Sequence, residues 1–220
     1  MKSNNAIAAF IAALLSATSA ILISAEPTEK SLSPDAALTK LAEGNSRFAN
    51  SKMSAPKPIA ERRAATAQAQ HPYAIIVGCA DSRTSPEIIF DQNIGDLFVV
   101  RTAGNIVDDY ALGSIEYAVE HLGSRLVVVL GHERCGAVKA ALESATAPGH
   151  VNAIVRDIQP AIQATKGKPG DALANAVHEN AVEVADKIRK DAQLGELASQ
   201  VKVVSAYYDL DTGKVEWDKK

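Results

Sequence analysis

Four short apolar runs constrain this chain more than any other feature: Tyr73–Gly78 (YAIIVG), Leu97–Arg101 (LFVVR), Leu126–Gly131 (LVVVLG) and Val201–Tyr208 (VKVVSAYY). Runs apolar at both odd and even positions suit strands buried on two faces, as in parallel sheets covered by helices. The intervening segments read as helices. Leu112, Ile115, Ala118, Val119 and Leu122 recur at helical spacing within Tyr110–Leu122, and Gly136–Glu143 opens another helix after the third run. His150–Asp191 is a long helical region broken at Gly167–Gly170. Asp211-Thr212-Gly213 is a turn signal that folds Lys214–Trp217 back as an edge strand. The predicted fold is α/β, with a mostly parallel central sheet of four strands, an antiparallel edge strand and helices on both faces.

Before the first run, Ser33 and Pro34 supply an N-cap and a first helical residue. Ala36, Leu38, Leu41 and Phe48 continue a loosely amphipathic helix to about Ala49, an N-terminal helical arm. A Ser- and Pro-containing linker (Ser51–Pro58) and a helical stretch (Ile59–Gln70) follow. The first residues differ in kind. Lys2 precedes an uncharged apolar segment, Ala6–Ile23, that ends in small residues before Glu26-Pro27. This is the pattern of a secretory signal peptide, cleaved near Ala25 or Ala20, and the rival reading is a retained membrane anchor. The expected organisation is a signal peptide over 1–25 and one α/β domain over 26–220, exported to a bacterial periplasm, with no span in the mature protein. Loss of Met1–Ala25 removes one lysine and no acid, taking the formal charge from −3 to −4. A weakly acidic chain without a basic stripe argues against nucleic acid as a partner.

The sheet's carboxyl edge collects the unusual residues, and ligand sites of open α/β sheets gather there. Cys79 closes the first run and is followed by Asp81 and Arg83; His132 and Cys135 follow the third. Two thiolates and one imidazole suit Zn²⁺, and three protein ligands leave the fourth tetrahedral position open, as in catalytic sites. Water there has its pKa lowered to about 7. Asp81 is near enough to take the open position or to accept a hydrogen bond from bound hydroxide, and a bidentate Arg83 would keep it ionised and turned off the metal. Two other readings stay open. In an exported protein the two cysteines could form a disulfide, or Asp81 could close a structural zinc site. Glu133 after His132 makes no H-E-x-x-H site, because Gly136 stands where the second His would be. Gly104 in RTAGN reads as a tight turn rather than a phosphate loop.

CADSR (Cys79–Arg83) with GHERCGAV (Gly131–Val138) resembles the β-class carbonic anhydrase family and its C-x-D-x-R and H-x-x-C signatures. FVVRTAGNIV, IEYAVEHLG and YYDLDTGKVEW resemble the family as well, so the likeness spans roughly residues 33–217. The resemblance implies reversible hydration of carbon dioxide to bicarbonate and a proton, by attack of zinc-bound hydroxide. One Zn²⁺ per chain would be held by Cys79, His132 and Cys135, with Asp81 and Arg83 as the catalytic dyad. It places Gln70 and the N–H of Gly136 at the substrate and Phe98 and Tyr117 on the pocket's apolar walls. It also implies a homodimer or dimer of dimers, with N-terminal helices wrapped around the partner and some pockets completed across the interface. Some bacterial members have a non-catalytic bicarbonate pocket built on a tryptophan three residues before the first ligand cysteine; Ile76 stands there, so no such pocket is implied. The same scaffold could act on another small linear carbon compound, such as carbon disulfide, and a non-enzymatic binding protein is the alternative of a different class.

Overall fold

The structure is a computed structural model, and it describes residues 32–54, 58–191, 197 and 199–218. The segment expected to be a signal peptide lies outside these residues. Five strands form one sheet in the order β2-β1-β3-β4-β5, built from β1 (Ala74–Cys79), β2 (Leu97–Thr102), β3 (Leu126–His132), β4 (Lys202–Tyr208) and β5 (Val215–Trp217). The first four are parallel, and β5 pairs antiparallel with β4 through Ala206↔Trp217. All six residues of β1 and all seven of β3 are buried, which is why their sequences show no polar alternation.

Seven α-helices lie among the described residues: α1 (Pro34–Ala49), α2 (Ile59–Thr66), α3 (Pro86–Ile89), α4 (Asp109–Glu120), α5 (Gly136–Glu143), α6 (Val151–Thr165) and α7 (Ala172–Arg189). Ile76, Leu126 and Val128 pack against α1 on one face of the sheet, while Ile75, Val77, Val127 and Val129 pack against α4 and α7 on the other. Each such side chain, removed fully from water, contributes about 1.5–3 kcal/mol. Ile76 is wholly inside the α1-facing core.

Several boundaries differ from expectation for local reasons. The second helix stops at Thr66 rather than Gln70, and residues 67–70 are exposed. The single turn of α3 is too short to show periodicity in sequence. On α1 the buried positions are Ala37, Leu41, Gly44 and Asn45, and Ala36 is exposed. The helix approaches α3 at its small and polar residues. Asn45 donates to the carbonyls of Ile89 (3.2 Å) and Gly213 (2.8 Å) and accepts from the Val215 amide (2.8 Å). A Cβ at Gly44 would stand 1.9 Å from the Phe90 carbonyl oxygen. Because that obstacle is backbone, Gly44→Ala should cost about 3 kcal/mol and lower Tm by about 6–12 °C in calorimetry. An unchanged Tm would show that α1 is not seated this closely.

Candidate metal centre

Cys79 ends β1, His132 ends β3, and Cys135 is the N-cap of α5. The adjacent pairing of β1 and β3 brings the two strand ends together, and the short 133–135 turn returns the second sulfur. Their three ligand atoms lie within 4.8 Å of one another, and all three residues are buried. Both cysteines are free, so the disulfide reading does not describe this structure.

The donor set fits a metal dication. The Nδ1 of His132 sits 2.9 Å from the Glu133 carbonyl oxygen, an arrangement that assigns the ring proton to Nδ1 and leaves the Nε2 lone pair free. That Nε2 is buried and has no hydrogen-bond partner. Buried polar atoms are rarely left so, and an absent ion is a standard explanation. The Cys79 thiol is held below the ordinary thiol range, chiefly by the facing Cys135 and, against the opposing effect of burial, also by His132 and the Gly104 amide. The Cys135 thiol is pushed far up by the facing Cys79 sulfur and by burial. Ionising both sulfurs requires a compensating positive charge, which a dication supplies.

Asp81 follows on the loop after β1. Its carboxylate accepts from Arg83 Nε (2.9 Å) and Nη2 (2.7 Å) in a fork, and from the Arg83 backbone N–H (2.9 Å). The guanidinium holds the carboxyl well below the usual carboxylate range. In this arrangement Asp81 is turned to Arg83, with Oδ2 3.9 Å from His132 Nε2. The loop is held by a residue that sequence reasoning missed. Arg101, on β2, donates from Nε to the Cys79 carbonyl (2.8 Å) and from Nη2 to the Asp81 carbonyl (2.6 Å). The 132–135 turn is braced from the β4–β5 connection. Arg134, at φ 53°, forms a fork with Asp211 (2.9 and 2.6 Å), and Glu133 accepts from the Leu210 amide (3.0 Å). No local motif marks these partners, because they join segments distant in sequence.

Gly136 lies beside this cluster. It opens α5 and is exposed, and a Cβ there would meet nothing within 4 Å, so its backbone can be approached. Gln70, Phe98 and Tyr117 lie elsewhere in the chain. Gln70 is exposed in the loop entering β1, while Cys79 is at the strand's far end, about 17 Å of strand away. Phe98 pairs with Ile75 near the start of β2 and packs on the α4 side. Tyr117 is half-exposed on α4, its ring 5.1 Å from that of His121.

A family model described as carbonic anhydrase matches residues 74–215. The carbonic anhydrase of Mycolicibacterium smegmatis is 42% identical over 191 residues, spanning 83% of this chain and 92% of the relative. Among solved structures, a Coccomyxa β-carbonic anhydrase in complex with acetazolamide superposes with a TM-score of 0.64 at 27% identity, over 82% of this chain and 85% of that one. A β-carbonic anhydrase of Sordaria macrospora, described as tetrameric, shares the fold with a TM-score of 0.65 at 22% identity, over 73% of this chain and 91% of the other.

Proposed function

Because the chain belongs to the β-class carbonic anhydrase family, we propose that it catalyses zinc-dependent, reversible hydration of carbon dioxide to bicarbonate and a proton at Cys79, His132 and Cys135. The observation that carries this reading is the buried, unpartnered Nε2 of His132 facing two thiols beside an ionised aspartate. Zn²⁺ bound by these residues supplies Lewis-acid activation, which brings the pKa of water to about 7. The rest falls to the chain. Asp81, acceptor-only while ionised, orients the attacking water by taking a hydrogen bond from it. Arg83 fixes the direction of that acceptor, and the Gly136 N–H, at the start of α5, would hold a substrate oxygen. Release of bicarbonate and re-entry of water would complete the cycle, with the proton passing to solvent or buffer. Stopped-flow hydration by zinc-loaded protein should show turnover that a chelator removes and zinc restores. A zinc-replete chain inactive at every pH would contradict the proposal.

Arg83 supplies the sign of one pH effect. A carboxyl depressed in the folded state stays ionised until pH falls through its lowered value, so its stabilising ion pair is present above about 4 and is lost only at strongly acid pH. In Arg83→Ala, Asp81 should titrate nearer the ordinary carboxyl range and be free to turn toward the metal position. Turnover should fall, and the midpoint of the pH–rate profile should move. A slower enzyme with the parent midpoint would argue against the clamp.

The proposal extends to location and assembly. An apolar leader over 1–25 and a single domain over 26–220 support export to a bacterial periplasm; no helix among the described residues is long and apolar enough to cross a membrane. A homodimer or dimer of dimers would give Gln70, Phe98 and Tyr117 a role at a neighbour's pocket. Two features support this: β2 ends the sheet, and Ile88, Ile94, Tyr110 and Tyr117 expose about half or more of their surface. Sedimentation of the purified protein tests the assembly.

A further inference from the structure

The turn that follows β2 touches the metal centre without contributing a ligand. Gly104 has a left-handed backbone (φ 73°), and its N–H donates to Cys79 Sγ at 3.2 Å. The turn is wedged in place. A Cβ at Gly104 would meet Ile158 Cδ1 at 2.8 Å and Ala137 Cβ at 3.1 Å, so the turn packs closely against α6 and α5, and its positive φ strains any residue but glycine. From the α7 side, Asn180 Nδ2 donates to the Gly104 carbonyl at 2.8 Å in a buried bond, and Val177, Ala181 and Val184 of the same helix are buried as well. Seven residues on, and so on the same helix face, Lys187 Nζ donates to the Val107 carbonyl at 2.5 Å.

We propose that Asn180 is a positioning residue for the metal ligand Cys79, acting through Gly104. A polar side chain buried on α7 is costly unless it is hydrogen-bonded, and Asn180 meets that requirement at the Gly104 carbonyl. This bond fixes the Gly104 carbonyl and with it the rotation of the residue whose amide meets the sulfur. A hydrogen bond from N–H to a thiolate is charge-assisted and orients the sulfur lone pair that remains for the metal. The inference rests on the proposed metal site and adds to it a residue outside the family motifs quoted above.

The test uses the full chain loaded with ¹¹³Cd, whose nuclear spin couples through a coordinated sulfur to an amide proton bonded to it. In the parent, the Gly104 amide should correlate with cadmium through Cys79. In Asn180→Leu that correlation should vanish, and zinc retention against a chelator should fall by about 10–100-fold. Where Asn180→Leu does not fold, Asn180→Ser, too short to reach the carbonyl, gives the same reading. Lys187→Met, which leaves the Asn180 bond intact, should keep the correlation. Three results would overturn the inference: no Gly104 correlation in a parent whose Cys79 carries cadmium, an unchanged correlation without Asn180, or equal loss in Lys187→Met. A parent that takes up no cadmium overturns the metal reading instead.

Discussion

Asp81→Asn should keep its metal and lose at least about 100-fold in turnover, the low end of what a positioned proton acceptor contributes. The substitution changes little in volume but reverses the chemistry. An ionised carboxylate only accepts, whereas an amide offers two donors where the water needs an acceptor. It also breaks the fork from Arg83, whose Nε and Nη2 each have an Asp81 oxygen at 2.9 and 2.7 Å. The parent carboxyl is held well below its usual range by that guanidinium, so the loss should persist across the neutral range rather than appear at one pH. Metal content measured beside the rate separates the two possible failures. A zinc-replete variant with the parent rate would remove Asp81 from the mechanism.

Cys135→Ser should have the larger effect, eliminating both metal and turnover. Cys135 is fully buried, and its thiol is pushed up by the facing Cys79 sulfur and by burial, against smaller opposing hydrogen bonds from the Val138 and Ala137 amides, so its ionisation depends on the metal's charge. Serine's hydroxyl does not ionise near neutral pH and is a poor zinc ligand, so one of three anchors is lost. The change also appears in stability. A ligand present at about 1,000 times its Kd adds about 4 kcal/mol to a fold that alone can bind it. Thermal unfolding of the parent should therefore rise on zinc addition, and that of the variant should not. An equal rise in both would place the ion elsewhere.

The sheet was legible because its information is local. Continuous apolar runs at β1 and β3 specify two buried faces, and the turn at 211–213 specifies the antiparallel return of β5. The three sulfur and imidazole donors were legible for the same reason: each sits at a strand's end or one short turn beyond it. What failed to show were contacts whose partners are remote in sequence. Arg101 is 22 residues from the Cys79 carbonyl it supports, and Asn180 is 76 from Gly104. Neither has a local pattern to mark it. Helix α1 shows a related limit, since its apolar pattern was carried by Ala36, Leu38, Leu41 and Phe48, yet Gly44 and Asn45 form its closest seat against the core. Gln70, Phe98 and Tyr117 entered through family likeness alone, and a single chain does not gather them at the metal centre.

Zinc K-edge X-ray absorption on the purified, zinc-loaded protein addresses the central claim directly. Cys79, His132 and Cys135 predict one zinc per chain with two sulfurs at about 2.3 Å and one nitrogen at about 2.0–2.1 Å, the remaining scatterer being a light atom. A chain without zinc whose two sulfurs are joined to each other, or a zinc shell with no sulfur in it, would contradict the account.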